Sequence, residues 1–220
     1  MKELFTPVSM SLRRPEATNA RLDGDVNYNG PPAMQKCGSG SKVGEDDGSA
    51  WPWPLRRVSR GGKVGFGNAD FRCGVDMMER WGQCELGWTT TSMPATRKGS
   101  RFLLSARTLG VWISNPLQVV RVERAFRSGW LPRPPGRRRK CMRVASRTLQ
   151  GHLLAGEEVF ELEQKKDGSV WYTISSVSRP CHALSIVGYP LLFLQQTRFL
   201  SSSVRSVRTT IATARAKSTR

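Results

Sequence analysis

Residues 148–195 hold the side chains best suited to chemistry: His152, the acidic pair Glu157 and Glu158, and Arg179-Pro180 with His182. Imidazole titrates near physiological pH and a carboxylate can orient it, so His152 with Glu157 or Glu158 has the composition of an acid–base pair. The spacing fits neither an HExxH zinc helix nor a nucleophile–base–acid triad, and no activated serine or cysteine stands beside the histidine. Gly151 and Gly156 bracket it instead, which favours a turn whose polar side chains tie loop to sheet. Ligand contact ranks second and catalysis third. The Arg179 guanidinium can hold a carboxylate or phosphate bidentately, with Glu157 or Glu158 as its internal partner. Trp171, Tyr172, Phe193 and Phe199 are candidate cavity walls as well as ordinary core. Gly65-Phe66-Gly67 contains neither GxxxxGK[ST] nor GxGxxG, so nucleotide binding has no support, and no cofactor or metal is expected.

The surrounding pattern positions these residues. Phe160 and Leu162 alternate with Glu161 and Glu163, then Lys165-Lys166-Asp167-Gly168 supplies a tight turn. Val170, Tyr172 and Ile174 share one face of the return strand, which completes a hairpin. Phe102, Leu104 and Ala106, then Leu117, Val119 and Arg121, mark two more period-two strands. Phe71, Val75, Met78 and Trp81 predict a helix over 69–82, capped by Asn68 or Asp70. Pro190 opens a longer helix in which Phe193, Leu200, Val204, Val207 and Ile211 form an apolar stripe. Order is expected from about Val64. The preceding 1–60, rich in Gly, Pro and Ser, reads as mostly disordered or loop, with a short element near Val26 and Tyr28 and packing tryptophans at Trp51 and Trp53.

Charge is unevenly placed. The 220 residues carry 35 basic and 17 acidic side chains, net +18. Residues 121–147 hold ten basic residues and one acid (+9), and 198–220 hold six basic residues and no acid (+6), leaving +3 for the rest. Segment 124–147, with Pro132, Pro134, Pro135 and Arg137-Arg138-Arg139-Lys140, reads as an inserted basic loop, because proline removes ladder donors and like charges repel. Residues 209–220 read as a basic tail. Such segments attract RNA or an anionic membrane. Five cysteines without a CxxC pair argue against a disulfide framework or structural zinc and for an intracellular site. No apolar run is long enough to span a membrane. Arg13, Arg14 and Arg21 resemble an import signal, which Glu3 and Glu16 weaken.

Thr148-Leu149-Gln150-Gly151-His152, Gly156-Glu157-Glu158, Asp167-Gly168, Val170-Trp171-Tyr172, Ser178-Arg179-Pro180 and Gly188-Tyr189-Pro190 together resemble uncharacterised protein family 0548, a domain-of-unknown-function family. Val64-Gly65-Phe66-Gly67, Leu86-Gly87-Trp88 and Asn115-Pro116-Leu117-Gln118 extend the similarity over 61–208. Two departures stand out. Residues 142–147 replace an aromatic-Gly segment, and the arginine-rich insertion has no counterpart. The resemblance implies an α+β, helix-grip, START-like fold: a curved antiparallel sheet packed on a long C-terminal helix. Such folds enclose a cavity that commonly hosts an apolar ligand. The expected function is therefore non-enzymatic binding of a hydrophobic small molecule or lipid, with His152, Glu157, Glu158, Trp171, Tyr172, Arg179 and Phe193 as candidate contacts. The alternative is a basic adaptor that binds RNA or anionic membrane through residues 121–147 and the C-terminal tail.

Overall fold

The alternating segments assemble into one antiparallel sheet. The computed structural model describes residues 9–15, 22, 24–28, 55–92, 95–125 and 140–218. Its strands are β1 (Ser9–Ser11), β2 (Arg56–Phe66), β3 (Thr89–Thr91), β4 (Arg101–Thr108), β5 (Val111–Arg124), β6 (Lys140–Thr148), β7 (Leu154–Gln164) and β8 (Ser169–Pro180). They run in the order β2-β8-β7-β6-β5-β4-β3, and β1 lies against the part of β5 that β6 leaves uncovered. The helices are α1 (Gly67–Glu79), the short α2 (Ala183–Val187) and α3 (Tyr189–Ser218). The sheet curls around α3, which is the α+β, helix-grip-like arrangement expected from the sequence.

The β7–β8 hairpin closes through the expected turn. Lys165 donates its N–H to the Ser169 carbonyl at 2.9 Å, and Gly168 adopts φ +85°, which a side chain would resist. On the concave face, Phe160, Leu162, Tyr172 and Ile174 pack with Leu200, Val207 and Ile211 of α3 and with Phe71 and Met78 of α1. Burying each such side chain contributes about 1.5–3 kcal/mol. Trp81 locks the α1 end onto this core, 4.4 Å from the Phe102 ring and edge-on to Phe160 at 6.0 Å.

Three regions differ from the sequence expectation. First, the sheet begins before Val64, because β2 pairs with β8 from Arg56 onward. Ser9–Ser11 pairs with β5, Val26 bridges to Leu149, and Tyr28 is fully buried. Trp51 and Trp53 lie outside the described residues, as does most of 1–60.

Second, the C-terminal part of the basic insertion is a central strand, β6, between β5 and β7; residues 126–139 lie outside the described residues. Met142 and Val144 alternate into the core, while Arg143 is met by carboxylates on both neighbouring strands, Glu161 at 2.6 Å and Glu123 at 3.6 Å. Counting charge along the chain hides this, because the compensating acids lie across the sheet. Third, α3 continues to Ser218, so the expected tail from 209 is helical almost to its end. Ile211 is fully buried there, and Arg215 pairs with Asp70 of α1. Asp70 does not cap α1 as expected. Phe66 is the N-cap, and its N–H donates back to the Asp70 carboxylate at 2.7 Å.

Candidate functional site

Bulky residues fill only half of the concave face. Reading the inward positions along each strand, β6 passes from Met142 and Val144 to Ser146 and Thr148, and β7 from Leu162 and Phe160 to Glu158 and Gly156. β8 likewise passes from Tyr172 and Ile174 to Ser176 and Ser178, and β4 from Phe102 and Leu104 to Ala106 and Thr108. Side chains too small to reach α3 leave a cavity of about 130 Å³, roofed by Leu192, Gln195, Gln196 and Phe199 of that helix. An apolar core cavity of about 150 Å³ holds a benzene-sized molecule.

His152 enters this cavity from the β6–β7 loop. Its Nδ1 accepts the Leu154 N–H at 2.9 Å, and burial pushes the imidazole down to about 3. The ring is therefore neutral and carries its proton on Nε2, which has no partner among the described residues. Among the described residues no carboxylate is hydrogen-bonded to either nitrogen.

Glu158 lies opposite Ser146 and Ser176 on the flanking strands and lines the same cavity. Its carboxyl has no hydrogen-bond partner among the described residues. Burial pushes it up to about 8, so the acid is mostly protonated at neutral pH. The residue keeps partial accessibility because its open side faces the cavity. Cys84 and Tyr172 sit close enough to couple electrostatically with it, and burial raises both of those groups so that they stay neutral. From the roof, Gln196 Nε2 donates to Ser176 Oγ at 2.8 Å and Ser178 Oγ at 3.1 Å, and Gln195 Nε2 donates to Thr108 Oγ1 at 3.1 Å. Gln195 Oε1 is buried without a partner.

A family described as a domain of unknown function, DUF1990, matches residues 39–206. The chain belongs to the DUF1990 family. A UPF0548 protein of Arabidopsis thaliana is 37% identical over 146 residues, covering 66% of this chain and 67% of the relative. A hypothetical protein from Helicobacter pylori aligns at TM-score 0.48 and 11% identity, over 76% of this chain and 98% of its own. The Zhui aromatase/cyclase of Streptomyces sp. R1128 aligns at TM-score 0.46 and 12% identity, over 72% and 94%.

In this DUF1990 chain the residues singled out from the sequence separate. His152 and Glu158 meet at the cavity, and Phe199 joins them. Glu157 borders it, yet its carboxylate accepts from Arg147 Nε at 2.8 Å, as strand alternation requires of neighbours on opposite faces. Arg147 is thus a partner of Glu157 across the β6–β7 pair. Arg179 is buried near the end of β8, outside the cavity lining. Trp171 sits on the convex face, its Nε1 donating to Ser169 Oγ at 3.0 Å with the Lys165 ammonium 3.8 Å above its ring. Tyr172 belongs to the filled half of the core, where its hydroxyl bonds Ser203 Oγ at 2.8 Å. Phe193 stacks under the Arg56 guanidinium at 3.5 Å. Sequence reasoning missed Ser176, Ser178, Gln195 and Gln196. The signal for them was a run of small polar residues on the apolar side of β8, together with a glutamine pair between Phe193 and Leu200 of the α3 stripe.

Proposed function

We propose that this DUF1990 domain binds a small, largely apolar molecule in the cavity between the sheet and the first turns of α3. The observation that carries this reading is the change from bulky to small inward residues on β4, β6, β7 and β8, which shapes a cavity in an otherwise close-packed face. An apolar occupant would gain dispersion contacts with the aliphatic and aromatic lining, Leu104, Ile113, Leu192 and Phe199 among it. A binding role suits the polar groups, since His152 is neutral and has no carboxylate partner among the described residues. Native mass spectrometry of the purified chain, with organic extraction, tests the reading. A low-mass occupant should be present in wild type and absent in Leu104→Trp, which fills the cavity. Identical uptake of an environment-sensitive dye by both proteins would count against it.

A second reading draws on charge. Residues 121–147 carry +9, and α3 exposes Arg205, Arg208 and Lys217. Binding to phosphatidylserine vesicles or RNA should fall steeply with salt and be lost on deleting 126–139. Salt-independent binding, or binding that survives the deletion, would sink this reading.

A further inference from the structure

Taking the cavity-binding role proposed above as the basis, we infer that the cavity selects small apolar molecules bearing an amine, held by Glu158, over molecules bearing a carboxylate or phosphate. Among the described residues, no lysine or arginine lines the cavity. Among the described residues the lining groups able to carry charge are His152, Glu157 and Glu158, and Glu157 is already engaged by Arg147. An anionic ligand would thus be buried with no cation to meet it, the costliest arrangement for a charge.

The unmatched polar atoms lean the other way. Among the described residues the Glu158 carboxyl has no hydrogen-bond partner, and Gln195 Oε1 on the roof is a buried acceptor without a donor. The ionised Glu158 carboxylate and Gln195 Oε1 both accept, and an amine supplies two or three N–H groups. The His152 Nε2–H is left for an acceptor elsewhere on the ligand. Trp88 and Phe199, edge-on at 6.5 Å, provide apolar wall, while Arg198 covers one face of Trp88 from outside at 4.5 Å.

The proton balance is simple. A neutral amine takes the proton from the Glu158 carboxylic acid, whereas an ammonium ion displaces that proton to solvent; both routes end in the same carboxylate–ammonium pair. Besides His152, the titratable neighbours of Glu158 are Cys84 on the turn after α1 and Tyr172 on β8, both neutral, so neither competes for the ammonium.

Isothermal titration calorimetry of the full chain with benzylamine, benzyl alcohol and benzoate tests the inference, with Glu158→Gln and the cavity-filled Leu104→Trp alongside. Wild type should bind benzylamine at least about tenfold more tightly than benzyl alcohol, and benzoate most weakly. Glu158→Gln should keep benzyl alcohol binding and lose the amine preference, together with the buffer-dependent heat of proton exchange. Benzoate binding as well as benzylamine, or an amine preference that survives in Glu158→Gln, overturns the amine class while leaving cavity binding intact. Benzyl alcohol binding equally to wild type and Leu104→Trp, or none of the three binding, overturns the cavity reading itself.

Discussion

Glu158→Gln should remove a pH-dependent weakness from the fold. The carboxyl is raised from 4.5 to about 8 in the folded chain. The folded state therefore holds a proton that the unfolded state releases, and the stability present below pH 4.5 is lost as pH climbs toward 8. Each unit costs about 1.4 kcal/mol, which reaches about 3 kcal/mol at pH 7. His152 works in the opposite sense. Its imidazole is lowered from 6.5 to about 3, so stability is present above pH 6.5 and is lost as pH falls toward 3. The two slopes cancel between pH 4.5 and 6.5, and Glu158 alone sets the decline above. Urea denaturation followed by tryptophan fluorescence from pH 4 to 9 measures this. The glutamine's own unmet hydrogen bonds add a constant offset of about 1–3 kcal/mol, so the slope is the readout. The difference between wild type and Glu158→Gln should move in favour of the variant by about 3 kcal/mol between pH 4 and 7. Parallel curves over that range would refute a buried, uncompensated carboxyl.

Asp70→Ala should cost about 1–3 kcal/mol by thermal denaturation, because it strips the Phe66 N–H of its acceptor and breaks the ion pair with Arg215. Arg215→Ala, removing a half-exposed guanidinium, should cost less than about 1 kcal/mol. Gly156→Ala should destabilise by about 1–3 kcal/mol, since the new Cβ would lie 2.3 Å from the Val177 carbonyl and 2.9 Å from Ser178 Cβ. Arg143→Leu should cost about 3 kcal/mol by leaving Glu161 without its cation, and adding Glu161→Leu should recover most of that loss in urea titrations.

The hairpin and the long helix were legible because their signals are local: alternation around Asp167-Gly168, and a stripe beginning after Pro190. β6 was not legible, because Arg143 is tolerated in a central strand only through Glu161 and Glu123 on its neighbours. The end of α3 was obscured similarly, since Ile211 and Arg215 are held by α1 and the core across the fold. At the site, Glu157 and Glu158 looked equivalent as neighbours in sequence. Strand alternation gives the first to Arg147 and the second to the cavity. The aromatic candidates misled for a related reason: Tyr172 shares its face with Ser176 and Ser178 but belongs to the filled half, four and six residues away on the same strand.

The central claim is that the space between the small half of the sheet and the start of α3 is a binding cavity. Methyl-labelled NMR during titration with benzyl alcohol tests it most directly. The account predicts saturable shifts at Leu104, Ile113 and Leu192, which line the cavity, with Val207 and Ile211 of the filled half unmoved. Shifts spread evenly over both halves, or none at the lining methyls, would contradict it.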